Sequence, residues 1–89
     1  MEIDVYDTYA RGAKGHVIHF DVLVSKGTDK DVAFKYAQQW LKSIGENPAG
    51  LEQARCRFCH SESAHPVVEK AVRDNGHFIL QMEGCPDPM

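Results

Sequence analysis

The sequence lacks any apolar run that approaches the roughly 20 residues a membrane-spanning helix needs. Its first sixteen residues, MEIDVYDTYARGAKGH, also carry acidic side chains where a secretion signal would have a basic end followed by an apolar stretch. We therefore expect a cytoplasmic protein with no membrane partner.

An excess of positive charge is also missing. Ten Lys and Arg residues stand against thirteen Asp and Glu residues, for a formal net charge of −3, and the basic residues are spread along the chain. Nucleic-acid binding leaves a basic patch in a sequence, so nucleic acid is not an expected partner. A content of 43% hydrophobic and 26% charged residues argues against disorder. We expect one compact domain over residues 1–89, with 83–89 as a loose tail.

Cysteine is scarce, with three residues in the chain. An odd number cannot be fully paired within one chain. In the cytoplasm, the three are expected to be reduced thiols, metal ligands or transient redox partners instead of structural disulfides.

Hydrophobic spacing predicts the element order ββαβαβ. Alternating apolar and polar residues indicate strands, and apolar residues at intervals of three and four indicate helices. The predicted strands are 2–9, 16–24, 53–59 and 77–83, and the predicted helices are 29–44 and 66–75.

The predicted fold class is α+β, a two-layer sandwich with a four-stranded mixed sheet and two helices on one face. Right-handed crossovers that progress in one direction would place both helices on that face. The other face would be solvated, and His19 is interpreted as one of its surface residues because it has no partner at ligand spacing. The polar residues predicted on this solvated face are Asp4, Tyr6, Thr8, His19, Asp21, Arg55 and Arg57.

Residues 56–60, CRFCH, have the C-x-x-C-H spacing of a c-type haem attachment site. Two observations disfavour haem. Attachment of this type normally follows export, which the sequence does not predict, and the motif lies on a run with strand alternation that already has a role in the core.

Zinc is the candidate metal for this motif, but a structural zinc site needs four ligands and the chain has no second C-x-x-C. In a strand, Cys56 and Cys59 would point to opposite sides of the sheet. We therefore interpret Cys56 as a small buried apolar residue beside Phe58 in the core.

A third hypothesis places a thiol-centred site at one edge of the sheet. Cys59 lies at the carboxyl end of the third strand, and a fourth strand parallel to it would end at the same edge, at Cys85. As a metal site, Cys59, Cys85 and His60 would bind zinc, with Glu62 or Cys56 as the fourth ligand. As a redox site, Cys59 would attack and Cys85 would resolve, while His60 favours the thiolate.

Two other classes of protein stay open. One is a non-catalytic interaction or dimerisation module with structural cysteines, present as a monomer or weak homodimer. The other is an enzyme with Cys59 as nucleophile and His60 as base. The sequence disfavours the enzyme, because neighbouring side chains at a strand end tend to diverge and no orienting acid is obvious.

The run CRFCHSE, followed by GHFILQMEGC, resembles a small bacterial family known as domain of unknown function number twenty twenty-four. The segments VYDTYA and GHVIHFDVLV and the helix ending in WL are also similar to that family, so the resemblance spans nearly the whole chain. The resemblance implies a compact α+β domain in which the segments CRFCHSE and EGC recur among family members. It thereby supports a shared site at Cys59, His60 and Cys85. It implies no particular chemistry.

Overall fold

The computed structural model describes residues 1–84 and contains the predicted six elements in the predicted order. The α+β class and the order ββαβαβ are confirmed. The third strand begins three residues later than predicted, because residues 53–55 form a 3-10 turn. The elements are β1 (Glu2–Arg11), β2 (Val17–Ser25), α1 (Lys30–Ser43), β3 (Cys56–Ser63), α2 (Pro66–Asn75) and β4 (His77–Gln81).

Both helices begin and end where their sequences favour it. Pro66 opens α2 at a position where its missing N–H costs no hydrogen bond, and Gly76 ends it with a φ of 88°. Helix α1 begins after Asp29 and ends before Ile44. With 14 and 10 residues, neither of these helices within residues 1–84 is long and apolar enough to cross a membrane.

The sheet has the strand order β3-β1-β2-β4, and every neighbouring pair is antiparallel. The prediction of a mixed sheet is therefore wrong. The two outer strands, β3 and β4, lie at opposite edges and run in opposite directions. Apolar alternation marks a strand but carries no information on its direction, which depends on how each helix returns to the sheet.

One face of the sheet packs against α1. Phe20, Val22 and Val24 of β2 are completely buried there, and the Phe20 ring lies 4.5 Å from that of Trp40. Alternation along residues 16–24 predicts that Ile18, Phe20, Val22 and Val24 share one face, and their burial confirms it. The helix contributes its own buried stripe, formed by Ala33, Ala37 and Leu41.

The second helix packs against the opposite face, so the prediction of two helices on one face is wrong. Val68 and Val72 of α2 contact Ile3, Val5 and Leu23. The handedness rule holds for helices that join parallel strands, and it applies to α1, which joins β2 to β3. It does not restrict α2, which joins two strands that run in opposite directions.

The hairpin register reverses the predicted faces of β1. Its loop closes through a hydrogen bond from the Gly12 N–H to the His16 carbonyl at 2.8 Å, and a Cβ at Gly12 would collide with the His16 ring. This loop pairs Tyr6 with Val22. Asp4, Tyr6 and Thr8 therefore lie on the α1 face and are buried, where the sequence predicted a solvated surface. A shift of one residue in register is enough to exchange the two faces.

Candidate functional site

Helix α2 covers only one end of its face of the sheet. Strand β3 ends and β4 begins at that same end of the sheet, on opposite edges, so α2 must cross the sheet to join them. The helix has 10 residues and is therefore about 15 Å long, which is just enough to cross three strand spacings of about 14 Å in total. The other end of this face is uncovered and carries polar side chains. We call it the polar half-face; its residues are Asp7, Tyr9, His19, Asp21 and Arg57.

A β-bulge in β3 brings His60 to this same side of the sheet. Phe58 is opposite Tyr6 and His60 is opposite Val5, so Cys59 is an additional residue between two consecutive pairs. Arg57, which pairs with Asp7, and His60 consequently share a face although they are three residues apart. Bulges of this kind redirect side chains and are frequent beside functional sites.

The bulge also builds a chain of three side chains, which we call the thiol relay: Cys59, His60 and Glu62. The Cys59 Sγ lies 3.3 Å from His60 Nδ1, and His60 Nε2 lies 2.8 Å from Glu62 Oε1. All three residues are exposed. The expectation that Cys59 and His60 diverge is therefore wrong, since the extra residue breaks the regular alternation. Glu62 contacts the His60 ring where an orienting acid would stand, a contact that the sequence did not reveal.

Cys56 is in a different environment from Cys59. It is completely buried under α1, and Thr8 Oγ1 lies 3.6 Å from its sulfur. Burial raises the pKa of the Cys56 thiol, which keeps it protonated. Its interpretation as a buried apolar residue is confirmed. Phe58, predicted beside it in the core, is instead 55% exposed, with its ring edge-on to Tyr6 at 5.9 Å.

Cys85 lies outside the described residues. The reason for expecting it beside Cys59 was that β3 and β4 would end at one edge of the sheet, and this premise is wrong. Within the described part of the tail, the Glu83 carbonyl accepts a hydrogen bond from the His19 N–H at 2.8 Å. A pairing of Cys59 with Cys85, through zinc or through a disulfide, stays a prediction.

The thiol relay does not converge on a point where an ion could sit. Cys59 and Glu62 contact opposite nitrogens of the His60 ring, so their ligand atoms lie on opposite sides of it. Among residues 1–84, the His, Cys, Asp and Glu side chains whose ligand atoms all lie within 4.8 Å of one another are Asp7, His19 and Asp21.

These three residues belong to the polar half-face and combine two carboxyl groups with one imidazole. Asp7 and Asp21 are directly opposite each other across β1 and β2, and Asp7 Oδ1 lies 2.6 Å from His19 Nε2. Burial and then the charge and hydrogen bond of Asp7 raise the pKa of Asp21 to about 6, although His19 and His60 act in the other direction. His60 therefore lies close enough to the polar half-face for its charge to act on Asp21.

Sequence reasoning missed the role of His19, which does have ionisable partners. The spacing His19-x-Asp21 on a strand was the available signal, because alternate residues of a strand share a face. That Asp7 belongs with His19 and Asp21 could be known only from the hairpin register, which brings Asp7 opposite Asp21.

The fold and this surface define a small α+β domain in which one half of a sheet face carries ionisable side chains. The chain belongs to the family described as Domain of unknown function (DUF2024), whose model matches residues 1–82. The resemblance seen in the sequence is thereby confirmed.

A solved relative has the same fold. The chain is similar to protein NE1680 from Nitrosomonas europaea, a structural genomics target determined by NMR, with 50% sequence identity and a TM-score of 0.84. The match covers 97% of this chain and 100% of the other. The organism is consistent with the bacterial family that the sequence resembles. A search of curated proteins finds no match.

Proposed function

We propose that this protein is a redox-responsive thiol protein whose reactive group is Cys59. The observation that carries the proposal is the unbroken contact from the Cys59 sulfur through the His60 ring to the Glu62 carboxylate. A thiol becomes a nucleophile only as a thiolate, and a neighbouring base held by a third group is the usual means of forming one.

The two contacts of His60 fit one protonation pattern. A neutral ring with its proton on Nε2 donates to Glu62, which leaves Nδ1 free to accept the Cys59 S–H. Transfer of that proton to Nδ1 gives an imidazolium whose second N–H already faces a carboxylate. Glu62 thus favours the ion pair of thiolate and imidazolium over the neutral pair.

The proposed chemistry is thiol–disulfide exchange with a small disulfide. The Cys59 thiolate forms a bond to one sulfur, the disulfide bond breaks, and the departing thiolate takes the proton held by His60. Cys85 would then resolve the mixed disulfide by attacking the Cys59 sulfur and releasing the second small thiol. A cytoplasmic location, where the resting thiols would be reduced, is part of the proposal.

The test is the rate at which Cys59 reacts with an aromatic disulfide that releases a coloured thiolate. Cys85→Ser is the background, so that Cys59 and the buried Cys56 are the two remaining thiols. We expect one fast and one very slow phase in this background. His60→Ala should slow the fast phase by on the order of tenfold at neutral pH, less than the hundredfold or more typical of a positioned base, because the site is exposed. Glu62→Gln should slow it less.

His65→Gln is the matched control, since His65 is an exposed histidine that precedes α2 and lies outside the relay. It should leave the fast phase unchanged. Equal rates in His60→Ala, Glu62→Gln and the parent would refute the proposal. That result would favour the interaction module, in which the cysteines have no chemical role.

A further inference from the structure

The polar half-face contains a group of ligand atoms that the thiol relay does not use. His19 Nε2 and one oxygen each from Asp7 and Asp21 lie within 4.8 Å of one another. Ligand atoms bound to one transition metal at about 2.0–2.2 Å stand about 3 Å or a little more apart. The three side chains come from two paired strands, so the backbone that supports them is held by the hydrogen-bond ladder of the sheet.

The charges of this group are poorly compensated by the protein itself. Two half-buried carboxyl groups face each other and share a hydrogen bond, and the His19 imidazole contacts one of them, Asp7. Within residues 1–84, no Lys or Arg forms an ion pair with either carboxylate. Arg57, although opposite Asp7, donates its Nε–H to the Ala54 carbonyl at 3.0 Å. Once Asp21 is ionised, above its pKa of about 6, the two carboxylates repel each other, and a cation at this place would offset that repulsion.

There is room beside Asp7, one of the three proposed ligands, for water molecules that an ion would bind. A cavity of about 190 Å³ is lined by Asp7, Tyr9, Arg55 and Arg57. At about 30 Å³ for each molecule of liquid water, this volume holds the water molecules that would complete a coordination shell. The Tyr9 ring stacks on His19 with centroids 4.1 Å apart and fixes the plane of the imidazole.

We propose that Asp7, His19 and Asp21 bind one divalent transition-metal ion of the Zn²⁺ or Mn²⁺ kind. The ion would take the place of the proton between His19 Nε2 and Asp7 Oδ1, and Asp21 would be the third ligand. One imidazole and two carboxylates suit a borderline metal better than Mg²⁺ or Ca²⁺, which prefer oxygen alone. Water would fill the positions that face the cavity.

The test uses the full chain with Cys59→Ser and Cys85→Ser, because thiolates would otherwise bind zinc themselves. Calorimetric titration with Zn²⁺ alone should give one ion per chain. Asp21→Asn and His19→Gln, made in the same background, should each weaken binding at least tenfold. Asp31→Asn and His65→Gln change the same residue types at exposed positions elsewhere and should not alter the affinity.

Mn²⁺ locates the ion independently of the variants. In a two-dimensional NMR spectrum it should broaden the signals of residues 7, 19 and 21 first, at substoichiometric concentrations. Broadening centred elsewhere, or zinc binding that disappears once the two cysteines are replaced, would overturn the proposal. Circular dichroism of each variant checks that the fold is retained.

The outcomes for the two sites are separable. Thiol exchange is measured in the presence of a chelator, whereas metal binding is measured without Cys59. Loss of fast exchange in His60→Ala together with no zinc binding would support the thiol site and reject the metal site. Zinc binding combined with an unchanged exchange rate in His60→Ala would support the metal site and reject the thiol site.

Discussion

The two faces of the sheet differ in how their buried area is distributed. The α1 face carries the larger buried cluster, whose members include the completely buried Phe20 and Cys56. The opposite face is covered by α2 at one end and carries ionisable groups at the other. The larger buried cluster and the ionisable groups of the polar half-face therefore lie on opposite sides of one four-stranded layer.

Two cysteines three residues apart illustrate the difference. Cys56 points into the α1 core, where burial keeps its thiol protonated. Cys59 lies at the bulge, exposed and in contact with His60. The same residue type is a packing group in one place and a candidate nucleophile in the other, and the environment alone makes the distinction.

The largest contrast is expected for two residues of one strand. Phe20→Ala should lower the free energy of unfolding by about 3–5 kcal/mol, because it removes a fully buried ring and leaves a cavity beside Trp40. Val17 begins the same strand and is 59% exposed, so Val17→Ala should change the free energy of unfolding by less than about 0.5 kcal/mol. Urea denaturation measures both. Similar losses in the two variants would contradict the assignment of the core to the α1 face.

A smaller contrast is expected between the two cysteines. Cys56→Ser should destabilise the fold by about 2 kcal/mol, because it buries a hydroxyl in place of a thiol. Cys59→Ser should be neutral within about 0.5 kcal/mol, yet it should abolish the fast thiol reaction. Thermal denaturation and thiol titration of the same samples give both values. A destabilising Cys59→Ser would show that the bulge cysteine has a structural role.

The smallest effect concerns the polar half-face and depends on pH. The pKa of Asp21 is raised from 3.8 to about 6 in the folded protein. The folded state therefore holds this proton more strongly than the unfolded state, and the resulting stability is complete below about pH 4 and lost as the pH rises through 6. Asp21→Asn cannot ionise, so in the presence of a chelator it should stabilise the protein at pH 8 by about 1–2 kcal/mol after allowance for solvent screening.

The difference between Asp21→Asn and the parent should shrink towards zero as the pH falls to 4. Asp31→Asn, at an exposed position of α1, is the control and should show no such trend. Urea denaturation at several pH values measures the effect. A stabilisation that does not change with pH would contradict the raised pKa of Asp21.

Much of the local structure was predictable because it depends on neighbouring residues. Helix α2, Pro66–Asn75, was predicted with its observed bounds, since Pro66 begins it and Gly76 follows its last residue. The buried set of β2 followed from alternation, as did the burial of Cys56. The candidate site was predicted only in part: Cys59, His60 and Glu62 were identified, whereas Asp7, His19 and Asp21 were not grouped.

The sequence by itself determined the six elements, their order, and which side of β2 is apolar, because these properties follow from the spacing of residues along one segment. Only the tertiary structure decided the strand directions, the opposite placement of the helices, and the faces of β1. Each of these depends on how distant segments pair, and one residue of register or one bulge changes the result. The contact of Cys59 with His60 and the meeting of Asp7 with Asp21 belong to this second group.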